Sequence, residues 1–402
     1  MAVDGAEWPS LLDVQGLLEG GWRPTPFREF VLKIHSRCNL ACDYCYMYES
    51  PDQGWRTQPR RMARNTLDQA IARIAEHART HRLPGVTVVL HGGEPLLAGV
   101  DHLRYAVTAA RAAMPEVEVG FQVQTNGTLL DPVFLALFDE LDVRVGVSLD
   151  GDAAAHDRHR VRHDGGGSHE AVRQGLEQLT APRHRHLFGG LLAAVDLAND
   201  PVVTYEALLA YDPPEIDFLL PHGTWDLPPP GRPPDGSTPY GDWLVKAFDR
   251  WYGAPVRETR VRMFGEILHL LLGRPSRSET IGLSPVAIVV VETNGRMEQI
   301  DSLKAAFDGA SSTPLHIARD SFDDALLVPG IAARQIGIRA LSEECRACDL
   351  VRACGAGFYP HRHRAGTGFR NPSVYCRDLY RLITHVRGTL STDVAALRNT
   401  RR

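Results

Sequence analysis

Seven cysteines occur in the 402-residue sequence, and they fall into two groups. The first group, Cys38, Cys42 and Cys45, lies in the stretch HSRCNLACDYCYMYE and has no fourth member. The second group lies near the C-terminus and has four members: Cys345, Cys348, Cys354 and Cys376. Thiolates hold iron–sulfur clusters and structural zinc, which usually take four protein ligands. The sequence therefore predicts two metal sites, and the first has one cysteine fewer than the usual four ligands.

Composition and charge narrow the class of protein. Hydrophobic residues make up 44% of the chain and charged residues 23%, as in ordinary globular proteins. The formal net charge of −5 argues against a nucleic-acid partner, because such proteins usually carry a basic excess. The N-terminus lacks the pattern of a signal peptide, and no stretch of eighteen apolar residues is present. We therefore expect a cytoplasmic protein without a membrane span, in which clustered cysteines indicate metal binding or catalysis.

The elements that must position these cysteines alternate along the first half of the chain. Apolar runs predict six strands, at 28–35, 86–91, 117–124, 143–149, 187–195 and 215–220. Helical periodicity lies between them, for example at 65–78, where Asn65 is expected to cap the helix, and at 101–113. The alternation predicts an α/β fold with a parallel sheet and right-handed crossovers. A partial barrel and an open doubly wound sheet both satisfy this pattern.

Four unusual loops follow the first four predicted strands. The three-cysteine stretch follows the first strand, and GGEP at 92–95, TNG at 125–127 and SLDG at 148–151 follow the next three. Loops at the carboxyl ends of parallel strands meet at one edge of the sheet. We therefore expect these loops to build one site.

The second half of the chain is organised differently. A proline- and glycine-rich segment at 225–239 is typical of a linker, and two helices are predicted at 240–252 and 258–272. A hairpin is predicted at 287–300, with Asn294-Gly295 as its turn. The expected organisation is an N-terminal extension at 1–25, a partial barrel at 26–222, linker and bridging helices at 223–282, an iron–sulfur domain at 283–380 and a tail at 381–402.

The pattern Cys38-x3-Cys42-x2-Cys45, with Tyr44 and Tyr46 beside the last cysteine, resembles the signature of the radical S-adenosylmethionine (SAM) superfamily. The resemblance implies a partial (β/α)6 TIM-like barrel in which the three thiolates hold a 4Fe–4S cluster. It also implies that the methionine amine and carboxylate of SAM chelate the fourth iron. A zinc site completed by His35 remains an alternative.

The neighbouring loops match further positions of this family. The GGEP motif implies contacts from its backbone and glutamate to the SAM amino group, and the later loops match polar positions around the SAM ribose and carboxylate. The matching residues are Gly92, Gly93, Glu94, Asn126, Ser148, Asp150 and Arg160. The resemblance implies that Arg160 pairs with the SAM carboxylate. Ordinary turn and cap roles remain an alternative for Asn126 and Asp150.

The four C-terminal cysteines resemble the second auxiliary cluster of the SPASM extension, which many peptide-modifying radical SAM enzymes carry. The positions that correspond to cysteines of the other auxiliary cluster hold Ser284, Ile300 and Phe358. We therefore expect two 4Fe–4S clusters in all, one that binds SAM and one auxiliary cluster with four thiolates. A structural zinc ion remains an alternative at the auxiliary site.

The segments at 291–304, 343–364 and 366–376 resemble the FxsB-type maturases. The resemblance implies a ribosomally made precursor peptide as substrate and a reductant such as flavodoxin or ferredoxin. The implied radical removes a β-hydrogen, and the carbon radical attacks an aromatic ring to form a cyclophane. Restoring the ring requires the loss of one electron and one proton, for which Glu298 and Asp301 are candidate bases. A solvated pair in the hairpin is the alternative for these two residues.

Two other functions remain open at this point. One is a different radical SAM/SPASM peptide modification, namely thioether formation, epimerisation or side-chain oxidation. The other is a non-enzymatic iron–sulfur electron carrier or sensor that has kept the fold.

Overall fold

The computed structural model describes residues 7–232 and 234–400, without the side chains of residues 398–400. Ten strands are found within these ranges. They are β1 (Glu29–His35), β2 (Gly85–Gly92), β3 (Glu118–Thr125), β4 (Val143–Ser148), β5 (Phe188–Ala194), β6 (Glu215–Leu219), β7 (Arg260–Val261), β8 (Ile288–Val291), β9 (Arg296–Glu298) and β10 (Ser312–His316). The first six correspond to the six strands that the sequence predicts.

These strands form one continuous sheet in the order β10-β9-β8-β1-β2-β3-β4-β5-β6-β7. Strands β1 to β6 lie side by side in chain order, and each pairs in parallel with the next. Parallel neighbours need a crossover connection, and helices supply it here. The prediction of an α/β fold with a parallel sheet is therefore confirmed, and the carboxyl ends of β1 to β6 meet at one edge.

Helices cover this sheet. They are α1 (Val14–Glu19), α2 (Arg64–Thr80), α3 (Val100–Ala113), α4 (Pro132–Glu140), α5 (Ala153–His159), α6 (His169–Thr180), α7 (Pro201–Leu209), α8 (Pro239–Tyr252), α9 (Arg262–Leu271), α10 (Phe322–Leu326), α11 (Pro329–Ala333), α12 (Glu343–Ala347), α13 (Val351–Cys354) and α14 (Cys376–Thr400). Among the described helices, none is long and apolar enough to cross a membrane.

Two local predictions were wrong at helix starts. Helix α2 begins at Arg64 with Ala63 at the N-cap position, so Asn65 lies inside the first turn and does not cap the helix. The Asn65 side chain accepts a hydrogen bond from the backbone of Thr66 instead. Helix α9 begins at Arg262 and not at 258, because Arg260 and Val261 pair with β6 as an added strand.

The hairpin β8–β9 is part of the main sheet. Strand β8 pairs in parallel with β1, with Val290 opposite Val31. The turn between β8 and β9 spans residues 292–295, and Gly295 has a φ of +91°, which glycine adopts without strain. The expected boundary at 283 therefore does not separate two sheets, because apolar residues of β8 fill the edge beside β1.

The described N-terminal residues pack against the C-terminal region. The backbone carbonyl of Trp8 accepts a hydrogen bond from Phe369 at 3.1 Å, and the Thr25 amide donates to Gln335 at 2.8 Å. The expected boundary between 380 and 381 falls inside a helix. Helix α14 runs from Cys376 through it, and Leu382, Ile383 and Val386 on this helix are buried. Residues 1–6 and 401–402 of the two predicted end segments lie outside the described residues.

Candidate active site

The three-cysteine loop leaves β1 at the carboxyl edge of the sheet. Cys38, Cys42 and Cys45 are half-buried there. The Sγ atom of Cys38 accepts hydrogen bonds from the Leu40 amide at 3.4 Å and from Nδ2 of Asn126 at 3.5 Å. Burial raises the pKa of the Cys38 thiol to about 12 and that of Cys42 to about 11. These thiols therefore ionise only when a strong positive charge, such as that of bound iron, replaces the proton.

The spacing of the thiols distinguishes between a single zinc ion and a multinuclear cluster. Thiolates around one zinc ion lie about 3.8 Å apart, since four Zn–S bonds of about 2.3 Å point to the corners of a tetrahedron. Among the described residues, two groups bring three ligand atoms within 4.8 Å of one another, and neither contains a cysteine. The Nδ1 atom of His35, the alternative fourth zinc ligand, contacts the backbone of Arg37 instead. The donor set therefore fits a multinuclear cluster better than a single zinc ion.

Gly93 fits where β2 passes close beneath the cysteine loop. An added Cβ would lie 1.8 Å from the Tyr48 hydroxyl and 2.5 Å from the Arg37 carbonyl carbon. The amide of Gly93 donates to the His35 carbonyl at 2.9 Å, and that of Glu94 donates to the Arg37 carbonyl at 3.0 Å. Any larger residue at 93 would push the β2 turn away from the cysteine loop.

Glu94 joins the GGEP turn to the loop after β3. Its side chain is 0% exposed and accepts hydrogen bonds from the Leu96 amide at 2.9 Å, the Thr125 hydroxyl at 2.8 Å and the Asn126 amide at 2.8 Å. Burial raises the pKa of Glu94 to about 7, although these hydrogen bonds favour the anion. The carboxylate thus fixes the two loops against each other.

Asp150 joins three elements in the same way. One carboxylate oxygen, Oδ2, accepts hydrogen bonds from the Tyr44 hydroxyl and, at 2.8 Å, from Nε of Arg160. The other, Oδ1, accepts from the Ala194 amide at 2.9 Å. Burial would raise the pKa of Asp150, but the Arg160 guanidinium holds it below its usual range. Asp150 therefore anchors the cysteine loop to β5. Among the described residues, Nε is the only guanidinium nitrogen of Arg160 with a hydrogen-bond partner.

Asn126 and Ser148 lie at the ends of β3 and β4. The Asn126 amide donates to Asn39 at 2.9 Å, and its oxygen accepts from the Thr128 amide at 3.0 Å, so a turn role is present. Ser148 accepts a hydrogen bond from Gln124 at 3.1 Å and stays half-buried. Asn126 therefore braces the cysteine loop through Cys38 and Asn39.

Glu298 and Asp301 lie in a buried charge cluster, so the expectation of a solvated hairpin pair is wrong. With Glu292 they bring three carboxylate oxygens within 4.8 Å of one another. Lys304 Nζ lies 2.6 Å from Glu298 and 3.4 Å from Glu292, and Lys33 Nζ lies 2.6 Å from Asp301. All five side chains are less than a tenth exposed, so two lysines offset three acids out of contact with solvent.

The two candidate bases differ in how their oxygens are used. Glu298 Oε2 accepts from both Lys304 and the Ser311 hydroxyl, and burial raises the pKa of Glu298 despite the lysine. Burial would also raise the pKa of Asp301, but Lys33 and Lys304 hold it below its ordinary value. The Oδ1 atom of Asp301 is buried and has no hydrogen-bond partner among the described residues. Asp301 therefore keeps one ionised oxygen free to accept a proton.

Lys33 links this cluster to the cysteine loop. It lies on β1 opposite His91 of β2, and its Nζ also lies 3.2 Å from the Met47 sulfur in that loop. After burial, the nearby charges of Asp301 and Cys45 raise the pKa of Tyr46 further. Tyr46 belongs to the cysteine loop and is therefore also close to the acid cluster.

The four-cysteine site lies between short helical turns. Cys345 is on α12, Cys354 ends α13 and Cys376 begins α14. Burial raises the pKa of Cys345, Cys354 and Cys376, and a neighbouring thiol of the same group raises each of these pKa values further. Arg362 lies beneath the loop after Cys354 and donates to the carbonyls of Gly355 and Gly357. The loop is thereby held by a buried cation.

The positions that correspond to cysteines of the other auxiliary cluster are filled by ordinary packing. Ile300 belongs to a small apolar cluster in which Tyr359 and Phe369 stack at 4.6 Å, and Phe358 packs against it. The Ser284 hydroxyl donates to the Ser276 carbonyl at 2.6 Å.

Sequence reasoning missed the two lysines. The chain has only three lysines, and two of them, Lys33 and Lys304, are in this cluster. Lys33 also interrupts an otherwise apolar strand. A lysine in a buried strand needs a carboxylate partner. The position of Lys33 could therefore have predicted a buried acid beside it.

Residues 32–182 match the family model of the radical SAM superfamily. The chain is 24% identical over 383 residues to a serine-type anaerobic sulfatase-maturating enzyme of Bacteroides thetaiotaomicron, covering 90% of this chain and 89% of the relative. It is 32% identical over 199 residues to a serine-type anaerobic sulfatase-maturating enzyme of Klebsiella aerogenes, covering 48% and 47%. The chain therefore contains a radical SAM domain with homology to these maturating enzymes.

A solved structure of native anSMEcpe with bound AdoMet and Cp18Cys peptide has the same fold. The TM-score is 0.77 at 21% identity, and the match covers 92% of this chain and 99% of that one. The α/β radical SAM fold that the sequence predicts is confirmed.

Proposed function

We propose that the radical SAM domain of this chain modifies a ribosomally made precursor peptide by joining a side-chain carbon to an aromatic residue. The product is a cyclophane of the FxsB type. The observation that carries the proposal is the pairing of an open three-thiol site with an ionised buried carboxylate. Lys33 connects them, because its Nζ contacts both Asp301 and Met47 of the cysteine loop. The resemblance of the C-terminal segments to FxsB-type maturases supplies the substrate class.

Both cofactor sites have fitting donors. Cys38, Cys42 and Cys45 would hold a 4Fe–4S cluster with one iron left for SAM, and the four C-terminal thiols would hold an auxiliary 4Fe–4S cluster. When bound, the first cluster and SAM supply a 5′-deoxyadenosyl radical that removes a substrate hydrogen, and the second cluster supplies an electron acceptor.

The surrounding side chains would hold SAM in two ways. Arg160, whose terminal nitrogens are free of the Asp150 hydrogen bond, would pair with the SAM carboxylate. The backbone around Gly92 and Gly93, with Ser148 and Tyr46, would line the amino and ribose contacts. Glu94, Asn126, Asp150 and Tyr44 would act mainly by fixing these loops, since their polar atoms already pair with protein groups.

The residues of the buried charge cluster would complete the reaction. After the substrate carbon bonds to the aromatic ring, the ring must lose one electron and one proton. Asp301 would take the proton on its free Oδ1, and Lys33 would keep the carboxylate ionised until then. Glu298 is the weaker candidate, because Lys304 and Ser311 already occupy its Oε2.

A reductant such as flavodoxin or ferredoxin would supply electrons. A cavity of about 530 Å³ is lined by Cys376 of the four-cysteine site and by more basic than acidic side chains: Arg232, Arg364, Arg370 and Arg377 against Glu344 and Asp378. In a chain of net charge −5 this is a locally basic surface, which suits an acidic redox protein.

A second candidate is side-chain oxidation in the maturation of a sulfatase. The similarity to a serine-type anaerobic sulfatase-maturating enzyme over 90% of the chain favours it. The same Asp301 would take the proton in that reaction.

Mass spectrometry of a co-expressed aromatic-rich precursor peptide tests the proposal. We expect the peptide to lose two hydrogens and to contain a cyclic segment that does not fragment. With the Cys42→Ala variant, we expect the mass of the peptide to stay unchanged. A loss of two hydrogens without a cyclic segment would favour side-chain oxidation, and an unchanged mass with inverted stereochemistry would show epimerisation. A protein that yields no 5′-deoxyadenosine from SAM under anaerobic reduction would be an electron carrier or sensor.

A further inference from the structure

Two histidines outside the acid cluster face each other near the cysteine loop. His222 follows β6 at the carboxyl edge of the sheet, and His361 lies in the short helical turn Tyr359–Arg362. Their ring centroids are 5.8 Å apart. His222 lies outside the motifs of the cysteine sites, and His361 lies between Cys354 and Cys376 without being one of the thiol ligands. Their pairing therefore needs its own explanation.

An aromatic wall surrounds the pair. The ring of Tyr46 meets that of His222 edge to face at 4.9 Å, and Phe358 lies 6.3 Å from His222 and 5.4 Å from His361. The wall, Tyr46–His222–Phe358–His361, therefore joins the cysteine loop to the C-terminal region. It is made of rings that pack best against another ring.

The rings of this wall are only partly covered by other protein groups. Tyr46, His222 and Phe358 are half-buried, whereas His361 is buried. Parts of three of the four rings are therefore available to a ligand.

The two imidazoles each leave a buried nitrogen without a partner. Nδ1 of His222 and Nε2 of His361 have no hydrogen-bond partner among the described residues. Buried polar atoms in native proteins are nearly always paired, with protein, water or ligand. Burial lowers the pKa of His222 to about 4 and that of His361 well below its ordinary value, so both rings are neutral at pH 7. They offer hydrogen bonds without charge, which does not favour an ionic ligand.

We propose that Tyr46, His222, Phe358 and His361 form a subsite for an aromatic side chain with a polar ring atom, a tyrosine or tryptophan of the peptide substrate. The proposal deepens the proposed function and rests on it for the peptide nature of the ligand. The rings of the wall pack against the substrate ring, and its O–H or N–H group pairs with an imidazole nitrogen. Phe358 stands at a position that corresponds to a cysteine of the other auxiliary cluster in the SPASM extension.

Side-chain analogues test the subsite without knowledge of the precursor. The probes are p-cresol, 3-methylindole and toluene, titrated by calorimetry into the full-length reconstituted protein with SAM bound. We expect p-cresol and 3-methylindole to bind about fivefold tighter than toluene, the factor that one net hydrogen bond of about 1 kcal/mol contributes. His222→Leu and His361→Leu should remove this preference.

Two further sets of variants separate hydrogen bonding from packing. His222→Asn and His361→Gln place an amide atom near the unpartnered nitrogen and should keep the preference for polar rings. Phe358→Leu should weaken all three probes by a similar factor. His186→Leu changes an exposed histidine that pairs with Asp139 and serves as the matched control.

The subsite is overturned if toluene binds as tightly as p-cresol, if no probe binds, or if the leucine variants match His186→Leu. Equal binding of all probes would show that a shared water satisfies both imidazoles. These outcomes do not depend on the peptide product. Loss of the probe preference with a cyclophane still formed would reject the subsite alone, and probe binding without a cyclophane would reject the crosslinking reaction alone.

Discussion

The three-cysteine loop and the four-cysteine site differ in what holds the thiols in place. Buried charged groups support the first: Glu94 binds two neighbouring loops, and Asp150 ties Tyr44 and Arg160 to β5. The second is formed by short helical turns, and the buried guanidinium of Arg362 holds backbone carbonyls beneath it. Exposed ion pairs, such as Asp349–Arg387, lie around its outside.

This difference fits the number of thiols at each site. A site with three thiolates must orient a further ligand, and fixed charges around it can do so at a defined angle. A site with four thiolates needs only a stable loop. The comparison therefore predicts that changes at the first site affect SAM chemistry, and that changes at the second leave it intact.

Removing one thiol from each site gives the largest expected contrast. Cys42→Ala should abolish reductive cleavage of SAM, because no SAM-binding cluster can assemble on two thiolates. Cys348→Ala should retain cleavage and lose peptide modification, because only the electron acceptor is affected. Chromatography of 5′-deoxyadenosine and mass spectrometry of the peptide measure the two effects. Normal cleavage in both variants would show that the two sites do not divide these tasks.

Neutralising each candidate base separately tests which carboxylate takes the proton. Asp301→Asn should keep SAM cleavage and reduce formation of the modified peptide by roughly 10²–10⁴-fold, the usual contribution of a general base. Glu298→Gln should have a smaller effect, because Lys304 and Ser311 already bind that carboxylate. Single-turnover yields of 5′-deoxyadenosine and product provide the ratio. An equal loss of modified peptide in both variants would contradict the assignment of Asp301 as the base.

Neutralising one acid at each site compares buried and exposed ion pairs. Asp150→Asn leaves the buried Arg160 without its counter-charge and should cost roughly 3–5 kcal/mol of unfolding free energy, with weaker SAM binding. Asp349→Asn breaks the Asp349–Arg387 pair, whose acid is 54% exposed, and should cost less than about 1 kcal/mol. Denaturant unfolding measures both. A similar loss of unfolding free energy in both variants would show that the ion pair at the first site contributes no more to stability than the exposed pair.

The pH dependence of stability gives the smallest effect. Because the pKa of Glu94 is raised from 4.5 to about 7 in the folded protein, the protonated form is favoured by folding. Its contribution is complete below pH 4.5 and is lost as pH rises through 7, about 3 kcal/mol in all. Glu94→Gln should therefore reduce the fall in unfolding free energy between pH 5 and pH 8. An unchanged slope would show that Glu94 is ionised throughout this range.

Sequence reasoning performed unevenly for physical reasons. It found the six strands because buried parallel strands are continuous apolar runs, and β1 (Glu29–His35) is a clear example. It misplaced the start of α2 because Asn65 has the type of a cap residue, whereas Ala63 takes the position. It did not predict that the hairpin joins the main sheet, because strand pairing across more than 250 residues leaves no local signal. The role of Lys33 was not predicted, because its partner Asp301 lies far away in the chain.

The sequence by itself determined the two groups of thiols, their count, and the loops that follow each strand, because residue type and spacing are local properties. Only the tertiary structure decided that Asp301 keeps a free oxygen beside Lys33, that Asp150 serves as an anchor, and that His222 meets His361. Those facts depend on burial and on distances between residues far apart in the chain. Burial sets the charge state of a carboxylate or imidazole, and no spacing along a sequence records it.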